Sequence, residues 1–99
     1  MVYSIDEIKS IACPIAERYG IAELYLFGSY ARGEATPNSD IDFLVDRGSL
    51  ADLLELGGLV SDLEAAFDKK IDVVTIQMLS QPFLNSIHTG KVLIYSKTD

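Results

Sequence analysis

The residues of this chain best suited to chemistry are two aspartates one residue apart, Asp40 and Asp42, and a third at Asp72. The run Asp40–Val45 (DIDFLV) reads as a strand, short and rich in β-branched and aromatic residues. Side chains alternate faces along a strand, so Asp40 and Asp42 point the same way with α-carbons about 6.6 Å apart. Ile41, Phe43 and Val45 then face a core. The run Ile71–Thr75 (IDVVT) has the same parity, with Asp72 opposite Ile71, Val73 and Thr75. If the two strands are neighbours, three carboxylates converge on one face of a sheet. Such a cluster is costly unless a cation sits in it or some members are protonated. Oxygen-only donors suit a hard ion such as Mg²⁺, which commonly joins one or two carboxylates to substrate phosphates. A divalent site with open coordination positions, holding one ion or two, is a common catalyst of nucleotidyl transfer.

An isolated Asp-x-Asp at a strand start is more often a solvated strand end, so the preceding residues matter. Glu23–Phe27 (ELYLF) reads as another strand and runs directly into Gly28-Ser29-Tyr30-Ala31-Arg32-Gly33, a tight turn with room for one helical turn. A strand-to-helix turn aims backbone N–H groups at an anion, and glycine lets a phosphate approach the chain closely. The Ser29 hydroxyl can donate to a phosphate oxygen, and Arg32 can reach the same anion with its forked guanidinium. The spacing is not that of a P-loop, because no Gly-Lys-Ser/Thr closes it. Taken singly, Gly-Ser is usually just a turn.

The remaining elements must hold these two segments together. Ile5, Ile8, Ile11, Ile15 and Tyr19 recur at helical spacing after Ser4, which forms a capping-box pattern with Glu7; Gly20 supplies the stop, and Pro14 should bend the helix. Glu34–Ser39 is loop chemistry. Leu53, Leu56, Val60, Leu63 and Phe67 mark an amphipathic helix from about Leu50 to Asp68, interrupted by Gly57-Gly58, which indicates close helix–sheet packing or a kink. A short helix around Gln81–Ile87 and a last strand, Val92–Tyr95, complete the order α-β-(turn)-β-α-β-α-β. This order predicts an α/β (α+β) domain over residues 1–99, a small mixed sheet with helices packed on one face.

The full string from Gly28 to Asp46, GSYARGEATPNSDIDFLVD, resembles the nucleotidyltransferase superfamily that includes DNA polymerase β. Its G-S-x-A-R-G followed by S-D-x-D is similar to the signature of the minimal nucleotidyltransferases. The resemblance extends from the first helix through Asp72 and implies a polymerase β palm-like fold. It further implies that Gly28 and Ser29 hold the triphosphate tail and that Asp40 and Asp42 ligate Mg²⁺. Asp72 would complete the metal site and help to activate the acceptor hydroxyl. The substrate it implies is ATP, with AMP delivered to a hydroxyl, expected to be tyrosine, on a small all-helical HEPN protein. The chain would then be the antitoxin of a HEPN/MNT toxin–antitoxin pair. Two alternatives stand beside this reading: an antitoxin that neutralises a HEPN ribonuclease by contact alone, and transfer to a small molecule.

Composition narrows the classes. A chain of 99 residues suffices for one domain and leaves little room to enclose an acceptor, which must largely come from another molecule. The formal net charge of −7, without a Lys/Arg run, argues against binding long nucleic acid and suits a basic protein partner. No apolar run approaches membrane-spanning length and no signal-peptide pattern is visible, so a cytoplasmic protein is expected. Cys13 has no pairing partner and fits a small core position, while the single His88 has no accompanying base or nucleophile. Tyr30 occupies the variable place in the glycine motif, where stacking on a base and simple packing both remain open. Glu34 and Asp46 flank the motif without joining it.

Overall fold

The computed structural model describes residues 2–48, 53–88 and 90–97. Helix α1 spans Ile5–Tyr19. Ser4 Oγ accepts from the Glu7 amide, Glu7 returns the bond to the Ser4 amide, and Gly20 ends the helix in the left-handed region at φ 69°. The helix continues through Pro14 without a break. Pro14 and Ser10 are both solvent-exposed, so the carbonyl that loses its helical donor can turn to water.

Four strands follow: β1 (Glu23–Phe27), β2 (Ile41–Asp46), β3 (Ile71–Thr75) and β4 (Val92–Ser96). Between them lie α2 (Gly28–Arg32), α3 (Leu53–Phe67) and α4 (Gln81–His88), with a 3-10 turn at Ile76–Met78. The sheet order is β3-β2-β1-β4. Strand β1 runs antiparallel to β2 and β4, and β2 runs parallel to β3, which makes the sheet mixed as expected. The parallel pair requires a crossover, and α3 provides it.

The two long helices cover one face. Ile8, Ala12 and Ala16 of α1, with Leu59, Leu63 and Phe67 of α3, pack on Leu24, Leu26, Ile41 and Phe43. Burying this set is the main source of stability, at about 1.5–3 kcal/mol for each large side chain. The short α4 differs from the long helices by lying on the other face, where Leu84 and Ile87 pack with Leu44. Its position follows from parity: Leu44, Tyr25 and Val74 point away from the main core and form a smaller apolar patch that needs a cover.

Two local differences from the sequence reading have simple causes. Strand β2 begins at Ile41, not Asp40, because Ile41 N–H is the first to reach the segment leading into β3, bonding to Lys70 O at 3.2 Å. Helix α3 is seen from Leu53 onward, and the expected residues 50–52 lie outside the described residues, as does the side chain of His88. Gly58 faces α1, not the sheet: an added Cβ would stand 2.9 Å from Tyr19 Oη. Among the described residues, no helix is long and apolar enough to cross a membrane.

Candidate active site

The register of three adjacent strands builds the site. Phe27 of β1 is the partner of Asp42 in β2, and Asp42 is the partner of Asp72 in β3. The row Phe27–Asp42–Asp72 crosses the sheet, and both carboxylates project from the face opposite α1 and α3. Parity on each strand and the parallel pairing of β2 with β3 therefore bring two aspartates thirty residues apart to one spot. Asp40 lies just before β2, its Oδ2 3.8 Å from Lys70 Nζ. Its charge still reaches Asp42, although its own carboxylate leans toward the lysine.

Electrostatics mark the cluster as strained. Burial pushes the Asp42 carboxyl up to about 6, and the Asp72 charge, a hydrogen bond with Asp72 and the Asp40 charge push in the same direction. The Arg32 guanidinium opposes them. A proton held between Asp42 and Asp72 relieves the repulsion, and a divalent cation would relieve it further. Among the described residues, no group of three or more acidic, histidine or cysteine side chains closes around a metal position. The all-oxygen donor set nevertheless fits a hard ion that takes its other ligands from phosphate and water.

Gly28 joins this cluster because β1 ends beside Asp42. It has φ +73°, and a Cβ there would collide with Asp42 Oδ2. Helix α2 starts at that point, with Phe27 as an extended cap that offers no side-chain hydrogen bond. The first N–H groups of α2 thus lack a capping side chain. Ser29 is the second residue of the helix, and its carbonyl accepts from the Glu34 amide at 2.9 Å, closing the turn. Arg32 Nε donates to Glu34 Oε1 at 2.6 Å on the surface.

A cavity of about 230 Å³ opens beside Gly28 and Arg32, and Phe27, Ser86, Ile87 and Gly90 complete its lining. Sequence reasoning missed the last three. No motif marks them, and they reach the site only because α4 folds over this face. Tyr30 turns inward, 4% exposed, so it packs and does not offer a stacking surface; its hydroxyl has no protein partner among the described residues. Asp46 sits at the far end of β2, where it accepts from the Gly48 amide and Gln77. Cys13 is half-buried and donates its thiol to Ile94 O at 3.2 Å.

A tight glycine turn abuts paired aspartates on adjacent strands, and the sequence that builds them is matched by a known family. The model of the polymerase β nucleotidyltransferase domain matches residues 9–99. The chain belongs to that family. This nucleotidyltransferase is 41% identical over 85 residues to an inferred protein adenylyltransferase of Methanocaldococcus jannaschii, a match that covers 86% of this chain and 83% of the relative. It is 40% identical over 75 residues to the protein adenylyltransferase MntA of Thermococcus cleftensis, covering 72% of this chain and 76% of that one. Its fold is shared with a chain in the solved structure of a tri-AMPylated Shewanella oneidensis HEPN toxin in complex with MNT antitoxin. That match has a TM-score of 0.72 and 20% identity, and covers 94% of this chain and 73% of the other.

Proposed function

We propose that this nucleotidyltransferase is a protein adenylyltransferase that moves AMP from ATP to a tyrosine hydroxyl of a small helical HEPN partner, and so acts as the antitoxin of the pair. The observation that carries the reading is the Gly28 turn set against the Asp42–Asp72 pair, in a chain whose relatives are protein adenylyltransferases. An acceptor carried by another molecule suits this site, because the cavity beside Gly28 is small, about 230 Å³, and Asp72 stands exposed on the edge strand.

In this reading the backbone N–H groups of Gly28 and Ser29, the Ser29 hydroxyl and Arg32 bind and orient the triphosphate tail. Asp40, Asp42 and Asp72 would hold Mg²⁺, which when bound supplies charge neutralisation at the phosphates and acidifies the attacking hydroxyl. The tyrosine oxygen forms a bond to the α-phosphorus as the bond from that phosphorus to the bridging oxygen of the β-phosphate breaks. Pyrophosphate leaves, and Asp72 takes the hydroxyl proton. Asp72 suits this duty because it is solvent-exposed and stands at the edge strand, where a partner's side chain can reach it.

The acidic balance, 15 acidic against 8 basic residues, favours contact with a basic partner in addition to catalysis. Incubation of both proteins with ATP and Mg²⁺, followed by intact mass, tests the proposal. One or more added AMP masses on the partner, lost in an Asp40→Asn, Asp42→Asn double variant, are expected. A double variant that silences the partner as well as wild type does, with no mass ever added, would establish neutralisation by contact alone.

A further inference from the structure

The turn between α3 and β3 holds the loop that leads into the acidic site. Lys69 Nζ donates to the carbonyl oxygen of Ser39 at 2.7 Å and to that of Pro37 at 3.0 Å. Both acceptors are main-chain atoms of the segment just before Asp40, so the lysine fixes backbone. The segment is closed internally as well, with Ser39 N–H on Thr36 O and Thr36 N–H on Ser39 Oγ, each at 2.9 Å. The next residue of the turn, Lys70, accepts from Ile41 N–H at 3.2 Å. From the other side, Tyr3 Oη anchors the turn by donating to Phe67 O at 2.6 Å.

Asp68 shows that this turn has a demanding shape. It has φ 51°, a left-handed conformation that aspartate tolerates better than most residues. An ammonium group is a compact point charge with three donors, well suited to a seat between two carbonyls.

We propose that Lys69 is a positioning residue for nucleotidyl transfer, an ammonium clamp that sets the 36–39 loop and so fixes Asp40 just before β2, two residues from Asp42. The catalytic part of this inference rests on the proposed function; the clamp itself rests on the two hydrogen bonds. Lys69→Met keeps the aliphatic stem and removes the donors. In this variant, amide hydrogen exchange at Ser39 and Ile41 should accelerate at least tenfold, while amides at the centre of β1 keep their rates. The kcat for AMP transfer should fall tenfold or more with KM for ATP changed less than threefold, and Lys69→Arg should recover most of it. Tyr3→Phe, which loosens the same turn and leaves the clamp, should reproduce neither effect.

Unchanged exchange at Ser39 overturns the clamp whatever the activity. Acceleration throughout the sheet overturns it too, as the mark of a general stability role. If exchange rises locally but Lys69→Met transfers AMP at the wild-type rate while Asp42→Asn does not, the positioning role is wrong and the proposed function stands. If Asp42→Asn itself transfers at the wild-type rate, the assigned site is wrong, and the exchange measurement still decides the clamp.

Discussion

Gly28 meets the carboxylate of Asp42 with no room for a side chain between them. The contact exists because Phe27 pairs with Asp42 in the β1–β2 register and the chain leaves β1 through a left-handed residue. Gly28→Ala therefore combines an unfavourable φ with a collision. It should destabilise the fold by about 1–3 kcal/mol, and it should reduce AMP transfer in fully folded samples by displacing Asp42. Denaturant unfolding beside a transfer assay measures both, and an alanine variant equal to wild type in each would show that the approach is not constraining.

The pH dependence follows from Asp42. Its carboxyl titrates near 6 in the folded chain, chiefly through burial and then through Asp72 and Asp40, against an ordinary value of 3.8. The folded state thus holds this proton more tightly than the unfolded chain does. The resulting stabilisation is present below about pH 4 and is lost as pH rises through about 6. In metal-free buffer, Asp42→Asn should gain in melting temperature relative to wild type across that window. A difference that stays constant with pH would mean Asp42 titrates normally. Because a metal needs the carboxylate, Mg²⁺ with ATP should protect wild type more at about pH 8 than at about pH 5.5.

Arg32 and Glu34 form an exposed pair, with side chains 59% and 64% accessible, so the pair contributes little to stability. Arg32 can leave Glu34 for a phosphate at small cost. Arg32→Ala should weaken ATP binding by about tenfold, as expected for a lost charged hydrogen bond, and should leave the melting temperature nearly unchanged. Titration calorimetry checks this. Glu34→Gln, which removes the competing charge, should bind ATP at least as tightly as wild type.

The two glycines of α3 should behave oppositely. A Cβ at Gly57 meets nothing within 4 Å, so Gly57→Ala should stabilise by roughly 0.5–1 kcal/mol through helix propensity. At Gly58 it would press on Tyr19 Oη, whose 2.6 Å bond to Asp62 holds α1 and α3 together. Gly58→Ala should lose that gain or destabilise outright. Thermal unfolding of the two variants gives the comparison, and equal stabilisation by both would show that Tyr19 moves aside freely.

Much of this protein is legible in residue order because its signals are local. The Ser4–Glu7 box, the alternation in DIDFLV and IDVVT, and the glycine turn after ELYLF each act within a few residues, and each element forms within a residue of its pattern. The same patterns put Asp42 and Asp72 on matching faces of their strands. They could not say that β2 and β3 are neighbours, because a strand's period sets the face of a side chain and not the strand that lies beside it. Tertiary pairing decided that, and with it the raised carboxyl of Asp42 and the lean of Asp40 toward Lys70. It also placed α4 on the second face, which brought Ser86, Ile87 and Gly90 to the cavity beside Gly28. The reach of Lys69 to the carbonyls of Pro37 and Ser39 was equally hidden. Main-chain acceptors are the same at every residue, so a bond to them across thirty positions leaves no mark in side-chain identity.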